Sequence, residues 1–115
     1  AFPEKVARYL GGKYGYSPER AAAADDRIST VLDTLGNQLG DQDYFLGTLS
    51  ALDVYWAAFG NMFMLLGEDE LPAMPLARDA WANVGGGRYT ESVPANLRAH
   101  HRKMYERHLG LPVQL

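Results

Sequence analysis

Residues 49–66 limit what this chain can become more than any other stretch, because apart from Ser50, Asp53, Gly60 and Asn61 they are all apolar or aromatic. Ser50 is placed as a helix N-cap. Its hydroxyl can accept from the N–H of Asp53 while the Asp53 carboxylate reaches back to the N–H of Ser50, the reciprocal pattern of a capping box. Asp53 also meets the positive end of the helix, and Leu49 and Val54 form an apolar staple on either side of the cap. Beyond the cap the residues are apolar all round a 3.6-residue repeat, which predicts a helix running through Leu66 and buried on every side. A membrane span needs roughly 20 predominantly apolar residues. This stretch is shorter and carries Asp53, Gly60 and Asn61, so a core helix is expected.

A length of 115 residues is enough to bury one real core, so residues 1–115 are expected to form a single domain. A hydrophobic share of 47% beside a charged share of 22% fits a globular chain. The net charge of -3 gives no reason to expect nucleic acid or an anionic membrane as partner. With no cysteine, disulfides and thiolate chemistry are excluded. No export signal is visible at the start, so a cytoplasmic location is expected. The first residue is not Met, which leaves ordinary processing or a longer parent protein open.

Flanking helices follow from local chemistry. Pro3 at N1 and Glu4 in the first turn open a helix over residues 3–14, weakened late by Gly11 and Gly12. Its Tyr9 and Tyr14, with Tyr16, are expected to pack on a neighbouring helix with their hydroxyls in water. Ser17, Pro18 and Glu19 open a second helix with the stripe Ala24, Ile28, Val31, Leu32, Leu35 and Leu39, ended by residues 40–43. Asp41 and Asp43 lack the Gly and Glu offsets of a calcium loop and are expected to be a solvated turn. After an acidic linker at residues 67–72, a short helix over residues 74–83 should turn Leu76, Ala80 and Trp81 inward. Gly85, Gly86, Gly87 and Arg88 lack the Lys and Ser/Thr ending of a phosphate loop and are expected to be a turn.

The last helix, residues 94–109, should place Leu97, His101, Met104 and Leu109 near one face. His100, His101 and His108 suggest a metal, but neighbouring positions point about 100° apart on a helix. No carboxylate shares the face of His101 and His108, so no metal site is expected. Arg98, Arg102, Lys103 and Arg107 lack interleaved aromatics and are expected to be a solvated basic face rather than an RNA or acidic-partner surface.

The run from Phe45 to Tyr55, with Phe45, Leu46, Gly47, Ser50 and Asp53 in order, resembles the signature that caps the core helix in the all-helical C-terminal domain of glutathione S-transferases. The preceding Arg27, Ile28, Val31, Leu32, Asp33, Leu35 and Leu39 are similar to the helix before it in that family. The resemblance spans residues 20–66. It implies an all-α bundle of about five helices, which serves as the hydrophobic-substrate and subunit-contact half of a transferase.

The family's thioredoxin-like domain, which holds glutathione and stabilises its thiolate, has no counterpart in this sequence. No catalytic residue and no cofactor are therefore assigned, and glutathione would be a co-substrate only where such a domain is present. By position, the resemblance points to Tyr9, Lys13 and Tyr14 as substrate-binding residues. It also implies a homodimer formed through the first two helices, or contact with a thioredoxin-like domain. The alternative is a non-catalytic protein-interaction module of the same fold.

Overall fold

The computed structural model describes residues 2–82 and 89–114. Among them the chain is all-helical, with five α-helices and no strand. They are α1 (Phe2–Lys13), α2 (Pro18–Leu39), α3 (Ala51–Gly60), α4 (Pro75–Ala82) and α5 (Ala95–Met104), the last continuing into a π-helical turn, Tyr105–Leu109. The glycine-rich residues 85–87 and Arg88 lie outside the described residues. No helix among the described residues is long and apolar enough to cross a membrane.

α2 begins as its sequence dictates. Ser17 is extended, its hydroxyl accepts from the N–H of Arg20 at 3.1 Å, and Pro18 takes the first turn. The helix stops at Gly40, whose φ of 54° is readily adopted only without a side chain. The last carbonyls of α2 would be orphaned. The Gly36 carbonyl takes the Gly40 N–H at 2.9 Å, and Asn96 of α5 adds its Nδ2 to the Gly36 carbonyl at 2.8 Å and to that of Gly40 at 3.1 Å, tying α5 to this end. A Cβ on Gly36 would lie 3.0 Å from Pro94, so this glycine lets the two helices meet.

The core has two parts. Leu32 and Leu39 of α2 bury with Phe45, Trp56, Val93 and Leu97. Ala57, Leu66, Leu71, Met104 and Tyr105 form the other, beneath the loop that follows α3. α5 therefore packs against both α2 and α3. Trp56 fixes the crossing by donating its indole N–H to the Leu97 carbonyl at 3.0 Å. The Tyr105 hydroxyl donates to the Ala57 carbonyl at 3.2 Å and accepts from Asn61 at 2.7 Å.

Several expectations are corrected here. α3 ends at Gly60 rather than Leu66, the chain then turning through hydrogen bonds from the Met62 N–H to the Phe59 carbonyl and from the Phe63 and Met64 N–H groups to the Gly60 carbonyl. Gly60 is also where His101 approaches, since a Cβ there would sit 2.8 Å from its ring. Nor is α3 buried on all sides, since Tyr55 and Phe59 are 62% and 60% exposed. Leu76, at 80% exposure, and Ala80 face outward rather than inward, and Trp81, at 37%, is covered only in part. α4 is held instead by Arg78, whose guanidinium donates to the carbonyls of Leu71 and Leu66 at 2.7 and 2.8 Å.

α1 buries no residue, so Tyr9, Tyr14 and Tyr16 stand in solvent rather than against a helix. Leu109, expected near the buried face, is exposed, because it falls in the π turn, whose wider helix shifts phase after Met104. His100 is buried beside His101 on α5. Nor is the basic face simply solvated: Arg102 pairs with Glu70 and Glu106, and Lys103 pairs with Asp43.

Candidate functional site

The stripe of α2 does not all reach the core. Residues recurring at three- and four-residue steps on one side, from Arg20 through Ala24, Ile28 and Val31 to Leu35, face α3 across a cleft of about 540 Å³. Leu52, Tyr55, Trp56 and Phe59 form the opposite wall, and Phe63 closes one end. That volume lies in the range of small-molecule sites. Its rim is open: Val31 is 56% exposed, and with Tyr55 and Phe59 it leaves a contiguous apolar surface in water.

The floor is rigid. Trp56 is buried and hydrogen-bonded to Leu97, and Phe63 stacks on it with ring centroids 6.4 Å apart and planes 19° from parallel. Phe63 in turn meets the edge of Tyr89 at 6.2 Å. Its carbonyl accepts from Thr90 at 2.6 Å, while the Tyr89 hydroxyl donates to Asp25 of α2. The loop after α3 is thereby tied back to the helix on the other side of the cleft. Two arginines, Arg20 and Arg27, are the only charged residues in the lining, and no carboxylate is among them.

A second constellation lies inside the bundle. Asp53 is 0% exposed and accepts four hydrogen bonds: from the N–H of Ser50 at 2.8 Å, the Ser50 hydroxyl at 3.0 Å, the N–H of Phe45 at 3.1 Å and His100 Nε2 at 2.8 Å. The Ser50–Asp53 capping box expected from the sequence is present. Asp53 does more than cap, since it also ties the Phe45 loop and α5 to the start of α3. Burial alone would push its carboxyl up, but these donors outweigh that and hold it below the ordinary carboxylate value.

Because a carboxylate only accepts, His100 must carry its proton on Nε2, which leaves Nδ1 a bare lone pair. Nδ1 is buried and has no partner, so protonating it would create an unsatisfied buried donor. In keeping with this, burial lowers the His100 pKa despite the opposing pull of Asp53. His101, also buried, is driven down to about 4, by burial first and by neighbouring His100 second. Neither Asp53 nor His100 lines the apolar cleft, and at 0% and 2% exposure both are buried. The pair holds the fold together. The third histidine, His108, is exposed and bonds the Tyr44 hydroxyl at 2.8 Å. Among the described residues no three His, Cys, Asp or Glu side chains are grouped to hold a metal ion.

The residues to which the resemblance pointed sit elsewhere. Tyr9, Lys13 and Tyr14 are exposed on or just after α1, with the Lys13 ammonium 5.4 Å from the Tyr14 ring, and none of them lines the cleft. Sequence reasoning missed the cleft itself. The signal available was Arg20 and Arg27 on the apolar side of α2, where a fully buried stripe would not place them. Comparison with protein-family models, curated proteins and solved structures returns no match to this chain.

Proposed function

We propose that this chain is the helical half of a glutathione transferase-like protein, the half that takes the apolar substrate and meets a second subunit, and that it does not conjugate glutathione by itself. The observation that carries this reading is the α2–α3 cleft, an open concave surface with aromatic walls. It receives the apolar body of a substrate, while Tyr9, Lys13 and Tyr14 stand on α1 where a thioredoxin-like domain can close over them. The residue pattern from Phe45 to Asp53 supports the family assignment.

In a Trp81→Phe chain, Trp56 is the sole tryptophan and reports on the cleft. A chlorinated aromatic should quench its emission saturably, and Phe59→Glu, an exposed substitution on the rim, should abolish the quenching. Calorimetry with glutathione should show no binding. Absence of saturable quenching would remove the cleft from this role, and tight glutathione binding would require a site of another kind.

A non-catalytic interaction module is the second reading, favoured by the exposed stripe Phe2, Val6, Tyr9 and Leu10 on α1. Both readings expect self-association through that stripe, with a symmetric dimer as the commonest closed form. Sedimentation at micromolar concentration should show a dimer that Val6→Glu or Tyr9→Glu dissociates. A monomer unaffected by either substitution would leave α1 without a contact role.

A further inference from the structure

We propose that the α2–α3 cleft binds a free amphiphile with one anionic end, a long-chain carboxylate in chemical class. This rests on reading the cleft as the substrate surface. The chain is acidic overall, yet the lining of this cleft holds two arginines and no carboxylate, so the charge of its lining is opposite in sign to the net charge of the protein.

The charge is also placed at one end. Arg20 and Arg27 lie on the N-terminal half of α2, whereas Val31, Leu32 and Leu35 further along are apolar, as is Phe63 across from them. From Arg27 to Leu35 the helix advances about 12 Å, enough to cover most of an extended hydrocarbon chain whose head is at Arg27. The positive end of α2 adds to the attraction at that end.

Arg27 is the residue best able to hold the anion. It is exposed and has no ion-pair or hydrogen-bond partner among the described residues, so its planar fork is free to take a carboxylate through two N–H groups. Arg20 spends one N–H on the Gly15 carbonyl at 2.9 Å, which fixes its guanidinium near the mouth. A cationic amphiphile of the same length gains none of these contacts, and a neutral alcohol accepts a weaker hydrogen bond without the charge.

The test uses the full-length Trp81→Phe chain and three probes below their micelle concentrations: dodecanoate, dodecanol and dodecyltrimethylammonium. Dodecanoate should quench Trp56 saturably with a Kd about tenfold below that of dodecanol, the worth of one charge-assisted hydrogen bond. The cation should bind more weakly than either. Arg27→Gln should remove most of the difference between dodecanoate and dodecanol while leaving dodecanol nearly unchanged, and Arg27→Lys should restore part of it. Equal binding of dodecanoate and dodecanol to the unsubstituted cleft overturns the anionic-end assignment while leaving the apolar-cleft reading in place. Failure of all three probes overturns both. Dodecanoate binding that weakens as the protein is concentrated assigns the cleft to a second copy of the chain and likewise overturns the proposal.

Discussion

Replacing Asp53 with Ala should lower the free energy of unfolding by about 3–5 kcal/mol, far more than the roughly 1 kcal/mol expected of an ordinary N-cap. The difference comes from what the carboxylate serves. Its removal strands the N–H groups of Ser50 and Phe45 and the Nε2–H of His100, all in places with little or no water. Asp53→Asn should be nearly as harmful, because its amide would point hydrogens at groups that are themselves donors. Ser50→Ala, by contrast, removes one hydroxyl from a half-buried position and should cost about 1 kcal/mol. Urea unfolding of these variants decides the matter. If Asp53→Ala stays within about 1 kcal/mol of the parent, Asp53 is a surface cap and the buried network carries no weight. A double-mutant cycle with His100→Ala should give less than the sum of the single losses, since the two side chains form one bonded unit.

Acid should begin to destabilise this protein before its carboxylates titrate. His100 and His101 are neutral in the folded state with pKa values below the usual 6.5, and His101 reaches about 4. For groups lowered in this way, stability is complete above pH 6.5. Below it the unfolded chain binds protons that the folded chain refuses, so stability falls with pH until the folded pKa is reached. For His101 alone the loss approaches about 3 kcal/mol by pH 4, and His100 adds to it in the same direction. Asp53 belongs to a separate and lower window, because its depressed carboxyl is lost only as pH falls below the ordinary carboxylate value. Urea midpoints measured between pH 7 and pH 4 should decline through this range, with the slope reduced by about one proton in His101→Gln. A flat profile between pH 6.5 and pH 4.5 would mean that both histidines are solvated and titrate normally.

What could be read from the chain was local. The start of α2 follows from Ser17 and Pro18, and the start of α3 from Ser50 and Asp53, because a cap acts within one turn of its own helix. The end of α3 was not legible. The close approach of His101 to Gly60 comes from 41 positions away in sequence, and a contact made across a helix crossing leaves no mark in helical periodicity. The Asp53–His100 bond is equally remote, so a residue that looked like a cap is also the centre of a buried network. The cleft escaped notice for another reason. Apolar composition at Tyr55 and Phe59 shows that a surface seeks cover, but not whether the chain supplies it. Leu76 was misplaced on the same ground.

α1 has a consequence in time rather than in energy. It is a 12-residue helix that buries nothing, joined to α2 by the turn at Gly15. Helices of that length are marginal in water when nothing packs on them. Its amide hydrogens should therefore exchange through local fraying, at rates close to those of an open chain, while those of α3 and α5 wait for the whole fold to open. A protease should cut at Lys5, Arg8 or Lys13 long before it reaches the basic residues of α5. The rate of that first cut is a direct clock for how often α1 stands unsupported, and any partner that covers its apolar stripe will slow it.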